Sequence, residues 1–110
     1  MTESLSGDSP LHIVFGAGQV GLALAARLAE LGITVRAISK QRPASLPRAV
    51  DWRAADVTDP EAATDAAKGA SVIYQCLNAP YTHWPELFPG LQRNVVMAAE
   101  HADALVVSLE

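Results

Sequence analysis

Three glycines, Gly16, Gly18 and Gly21, stand at G-x-G-x-x-G spacing between a short apolar run, LHIVF, and an Ala/Leu-rich stretch. A strand that turns sharply into a helix through such a loop can hold a pyrophosphate against the helix N-terminus. Each glycine has its own task. Gly16 lets the chain leave the strand through a turn that a Cβ disfavours. Gly18 lets backbone approach the phosphates, and Gly21 lets the helix pack on the strand. Free N–H groups and the positive end of the helix dipole would face the anion. Gly16, Ala17, Gly18, Gln19, Val20 and Gly21 are therefore the expected phosphate cradle.

The second informative place is Ser39-Lys40-Gln41-Arg42, directly after the second apolar run. A site that reads NAD usually has Asp or Glu here to accept from the ribose 2′-hydroxyl. No acid occurs between Glu30 and Asp51; Ser39, Lys40 and Arg42 offer a hydroxyl and two cations instead. Those groups suit a 2′-phosphate, so NADP is expected ahead of NAD. A solvated basic loop is the plainer alternative.

The elements that must position these residues follow from periodicity. Strands are expected at 11–15, 33–38, 49–55, 71–77 and 104–109, and helices at 19–31, from about 58 to 69, and at 89–101. In the first helix Val20, Leu24, Leu28 and Leu31 give a core-facing stripe, and Gly32 stands where a helix ends in a left-handed residue. The second helix has two candidate starts: Thr58 with Glu61 as a capping box, or Asp59 as N-cap with Pro60 at the first position. Leu91, Val95 and Ala98, with Val96 and Ala99 beside them, form the stripe of the third. Unbroken strand–helix alternation predicts an α/β fold of three layers around a parallel sheet in the order 3-2-1-4-5.

In such a sheet, ligands lie outside the carboxyl ends of the strands. Asn78 and Ala79, after the fourth strand, should therefore border a bound dinucleotide, with Pro80 and Tyr81 beyond. Thr82, His83 and Trp84 extend that loop, in which a lone histidine is more often a surface residue than a proton donor. His12, near the start of the first strand, reads as a rim or internally satisfied histidine.

Composition bounds the rest. One domain fits 110 residues, half of them hydrophobic, with residues 1–9 read as a disordered tail and 10–110 as the domain. Net charge is −4 and no basic stripe is present, against nucleic acid or an anionic membrane as partner. The single cysteine, Cys76, leaves no disulfide framework or cysteine-based zinc cluster, so no metal is expected and a reducing cytoplasm fits. Signal-peptide pattern and membrane-length apolar runs are both absent from the sequence.

Over about 10–108 the chain resembles the N-terminal half of extended or atypical short-chain dehydrogenases/reductases, the NAD-dependent epimerase/dehydratase-like group with a Rossmann fold. That likeness rests on the glycine loop, on Ala55-Asp56-Val57-Thr58-Asp59, on the fourth strand entering Asn78-Ala79, and on Asn94-Val95 before Ala98-Ala99. The resemblance implies that Asp56, with Val57 beside it, contacts the adenine, and that Ser108 sits where the group carries a catalytic Ser or Thr. Two departures stand out. Phe15 occupies the place of the first glycine in the G-x-x-G-x-x-G of many extended members. The group's Tyr-x-x-x-Lys is missing as well: the only tyrosines, Tyr74 and Tyr81, have no Lys four residues on.

The leading expectation is thus the NADP-preferring dinucleotide-binding part of a short-chain-type oxidoreductase or epimerase/dehydratase, truncated after the fifth strand and inactive alone. Its small-molecule substrate is unknown. An open fifth-strand edge would invite self-association. The alternative is a non-catalytic nucleotide-binding module, similar to potassium-channel regulators or an NADP sensor. Those regulators usually keep an acid after the second strand, which this chain lacks.

Overall fold

The computed structural model describes residues 10–16, 18–76 and 84–108. Within them lie β1 (Leu11–Phe15), α1 (Gln19–Glu30), β2 (Thr34–Ser39), β3 (Asp51–Ala54), α2 (Pro60–Ala66), β4 (Ala70–Gln75), α3 (Trp84–Ala102) and β5 (Leu105–Ser108). The five strands form one parallel sheet in the order β3-β2-β1-β4-β5. That is the α/β architecture and strand order expected from the alternation. The tail reading for residues 1–9 falls outside the described residues.

β1 is central and buried on both sides, as its continuous apolar run requires. Ile13 and Phe15 point to one face, where they join Ile38, Ile73, Ala63, Ala66, Val95 and Ala98 from the flanking strands, α2 and α3. Val14 points to the other and meets Val35, Ala37, Ala25 and Leu28 under α1. Two clusters divided by one sheet make the three layers.

The stripe of α1 differs from the expected one. Gly21, Ala25 and Leu28 are the buried residues, whereas Val20 is 57% and Leu31 59% exposed. Leu28, with Leu24 partly buried beside it, keeps its place in the expected stripe, while the small Gly21 and Ala25 face the sheet in place of Val20 and Leu31. The helix ends as anticipated at Gly32, whose φ is +80°. Its N–H donates to the Ala29 carbonyl and that of Ile33 to the Leu28 carbonyl, 3.0 and 3.1 Å, which is a Schellman ending.

Of the two starts open for α2, Asp59 is the cap. Its carboxylate accepts from the Glu61 and Ala62 N–H groups, and Pro60 takes the first helical position, where no N–H is needed. Arg36 secures the other end of this short helix, donating to the Ala66 carbonyl at 3.1 Å and to Asp51 at 2.9 Å.

α3 starts earlier than expected. Pro89 looks like a first-turn proline, yet the helix already begins at Trp84 and Pro89 is its sixth residue. An interior proline costs one intrahelical bond, which the remaining length of a 19-residue helix tolerates. Trp84 therefore opens a helix rather than closing a loop. Asn94 consequently lies within the helix, where its side chain donates to the Val57 carbonyl at 2.7 Å and ties α3 to the segment after β3.

Candidate functional site

The carboxyl ends of β1, β2, β3 and β4 lie along one edge of the sheet, and backbone hydrogen bonds bind the segments leaving them. The Gly16 N–H donates to the Ile38 carbonyl at 3.0 Å, Cys76 to Phe15 at 2.9 Å, and Ala55 to Ser39 at 3.0 Å. Glycine loop, basic loop and the Asp56 turn are thereby fixed side by side.

Gly16 leaves β1 with φ +105°, a conformation that side chains disfavour. A Cβ on Gly21 would run into the Gly16 carbonyl oxygen and lie 3.5 Å from the Cys76 Cβ, so strand and helix touch through backbone at that point. Gly18 is different. Its backbone is extended, φ −76° and ψ −169°, and a Cβ there would meet no heavy atom of the described residues within 4 Å. Neither a left-handed backbone nor tight packing requires glycine at this position. Gly18 is also the N-cap of α1 and supplies no side-chain cap, and no acidic residue occupies the first turn. Among the described residues, the first N–H groups of α1 thus lack a side-chain cap and its first turn lacks a countercharge, which fits an anion held at this end. Gln19 and Val20 are exposed there. Ala17 falls outside the described residues, as do Asn78, Ala79, Tyr81 and His83.

At the end of β2, Ser39 is wired into the protein. Its hydroxyl donates to the Gln41 carbonyl at 2.7 Å and accepts from the Trp52 indole N–H at 2.9 Å. Its only hydrogen is therefore committed. Lys40 and Arg42 are exposed. The loop behind them folds back through turns at Pro43 and Pro47, which bury Leu46 and Val50 in the α1-side cluster.

Asp56 follows β3. Its Oδ1 accepts from the Thr58 hydroxyl at 2.6 Å and from the Thr58 N–H at 2.9 Å, while Oδ2 stands 3.8 Å from the Lys40 ammonium. The Thr58 hydroxyl first, then its N–H, hold this carboxyl below the usual carboxylate range; burial opposes them, and the Lys40 charge adds the smallest lowering. Lys40 and Asp56 are thus brought together across the mouth of the site. Val57 packs against the α2/α3-side cluster, and its carbonyl is taken by Asn94.

Ser108 ends β5, exposed, with Gln75 opposite it in register. Cys76 is buried beneath the glycine loop, and that burial pushes its thiol pKa up. His12 is satisfied internally, its Nδ1 lying 2.9 Å from the Tyr74 hydroxyl. Trp52 is the contributor that sequence reasoning passes over. It sits in a strand broken by charged neighbours, and its link to Ser39 spans 13 residues with no local signature.

A family model described as the NAD dependent epimerase/dehydratase family matches residues 12–107. The chain belongs to this family. Among solved structures, uronate dehydrogenase from Agrobacterium tumefaciens superposes with TM-score 0.75 at 19% identity, covering 94% of this chain and 41% of its own. A variant of that enzyme complexed with NAD gives TM-score 0.74 at 20% identity, covering 92% and 40%. A Rossmann-fold NAD(P)-binding family protein from Shigella flexneri gives 0.71 at 19%, covering 89% and 50%. These likenesses are of fold. An uncharacterized protein of Mycobacterium tuberculosis is 40% identical over 66 residues, which are 60% of this chain and 8% of that protein. The chain therefore spans half or less of the solved chains and a small part of the curated relative.

The epimerase/dehydratase match runs from β1 into β5 and so takes in all three segments gathered at the sheet edge. Among the described residues, no helix is long and apolar enough to cross a membrane.

Proposed function

We propose that this chain is the dinucleotide-binding part of a short-chain-type oxidoreductase or epimerase/dehydratase, and that it takes NADP in preference to NAD. The observation that carries the reading is Gly18: a glycine in ordinary extended backbone, with no described atom near its missing Cβ, at the start of a helix that has no side-chain cap among the described residues. A bare backbone at that point serves close approach of a phosphate group. When bound, the dinucleotide would supply hydride transfer, and the protein's part is to hold and orient it. Gly16, Ala17, Gly18, Gln19, Val20 and Gly21 would hold the pyrophosphate. Asp56, Val57, Asn78 and Ala79 would border the adenine and nicotinamide sides, and Ser108 would stand at the reacting end.

The NADP preference rests on Lys40 and Arg42, exposed cations where an NAD reader usually keeps an acid. Ser39 contributes less than its residue type suggests, because its hydrogen is already donated to Gln41. Family membership supports the enzyme-derived reading over a regulatory module. We place the protein in the cytoplasm, on its single buried cysteine.

Titration calorimetry tests the preference. NADP+ should bind more tightly than NAD+, and Lys40→Ala and Arg42→Ala should each weaken NADP+ by about three- to tenfold, as exposed charge-assisted contacts do. Equal affinities for the two dinucleotides would contradict it.

A further inference from the structure

Ser39 occupies the end of β2, the place where an NAD reader usually carries its carboxylate. A hydroxyl there is commonly counted as a donor to a 2′-phosphate. Its wiring in this protein argues otherwise. A serine hydroxyl has one hydrogen and two lone pairs, and an indole N–H can only donate. Trp52 donates to the Ser39 oxygen at 2.9 Å, and that oxygen's own hydrogen goes to the Gln41 carbonyl at 2.7 Å. One lone pair remains for a ligand.

A lone pair accepts from a ribose 2′-hydroxyl and is repelled by phosphate oxygens. As held, Ser39 is a neutral, weaker stand-in for the acid of an NAD site, set beside two cations that favour phosphate. Trp52 fixes this arrangement. It lies opposite Ala37 in the β2–β3 register, two residues before the partner of Ser39, and packs into the α1-side cluster. From this diagonal position its N–H pins the serine oxygen while Gln41 takes the hydrogen.

We propose that Trp52 is a specificity-determining positioning residue: by holding Ser39 as an acceptor it keeps NAD as a usable ligand and limits the preference for NADP. The inference rests on the dinucleotide reading above. Without the indole N–H, only the Gln41 carbonyl holds the hydroxyl, and a 2′-phosphate, a stronger acceptor than that carbonyl, can draw its hydrogen away.

The test is a double-mutant cycle read as the ratio of NADP+ to NAD+ affinity by calorimetry. Trp52→Phe should raise the ratio by about three- to tenfold, the scale of one net hydrogen bond. Ser39→Ala should raise it too, through weaker NAD+ binding. In the Ser39→Ala background, Trp52→Phe should add nothing further to the ratio. A folded Trp52→Phe protein with an unchanged ratio would overturn the proposal, as would the same change in both backgrounds. Should Trp52→Phe fail to fold, Ser39→Ala decides alone: a larger loss for NADP+ than for NAD+ would make the hydroxyl a donor and overturn the proposal. Wild-type protein that binds neither dinucleotide would refute the dinucleotide reading itself. Binding with an unmoved ratio would refute only the role of Trp52.

Discussion

Thr58 gives both its hydroxyl and its N–H to one oxygen of Asp56, while the other oxygen faces Lys40. The charged carboxylate is favoured in the fold, so its folded pKa lies below the unfolded value. Its contribution to stability is full above the unfolded pKa, about 3.9 for an aspartate, and is lost as pH falls through the folded pKa. Asp56 is partly exposed, which keeps that contribution small. Thr58→Ala removes the largest cause and should move the Asp56 pKa up toward the ordinary aspartate value, as a side-chain NMR titration would show. An unmoved titration would mean that Thr58 does not hold this carboxylate.

At the scale of elements, the contact between β1 and α1 is backbone on backbone. Gly21→Ala places a methyl against the Gly16 carbonyl, with the carbonyl carbon at 3.1 Å, so helix or loop must give way. Urea denaturation should show a loss of about 1–3 kcal/mol, the usual cost of overpacking a tight contact. Wild-type stability would mean that the helix start shifts freely. The sequence made much of this level legible. Apolar runs set the five strands, their alternation with helices set the sheet order, and Asp59-Pro60 marked a helix start. What escaped has physical causes. Leu28 of the packing face of α1 was legible, but Gly21 and Ala25 carry little hydrophobic weight, so the exposed Val20 and Leu31 mislead a periodicity reading. Pro89 resembles a helix start because the same residue type serves first turns and tolerated interior positions. The Trp52–Ser39 bond is tertiary, and residue types alone could not reveal that the serine hydrogen was already spent.

At the scale of the molecule, the sheet has two edges of unequal character. β3 carries Asp51 and Arg53, charged residues of the kind that discourage edge pairing. β5 reads LVVS, with Leu105 66% exposed. The protein should therefore self-associate through β5, seen as a concentration-dependent mass in light scattering, and Leu105→Lys should reduce it. A constant monomer mass at all concentrations would contradict this.

Dinucleotide binding at the start of α1 underlies the whole proposed function, and Gly18 separates binding from folding. A Val at position 18 meets no heavy atom of the described residues within 4 Å of its Cβ and sits in extended backbone, so the variant should fold, with a loss of about 1 kcal/mol because Val caps a helix less well than Gly. Its side chain would fill the space a phosphate needs. Calorimetric titration of folded Gly18→Val with NADP+ is the most direct measurement: loss of binding is the predicted result, and affinity equal to that of the wild-type chain would contradict it.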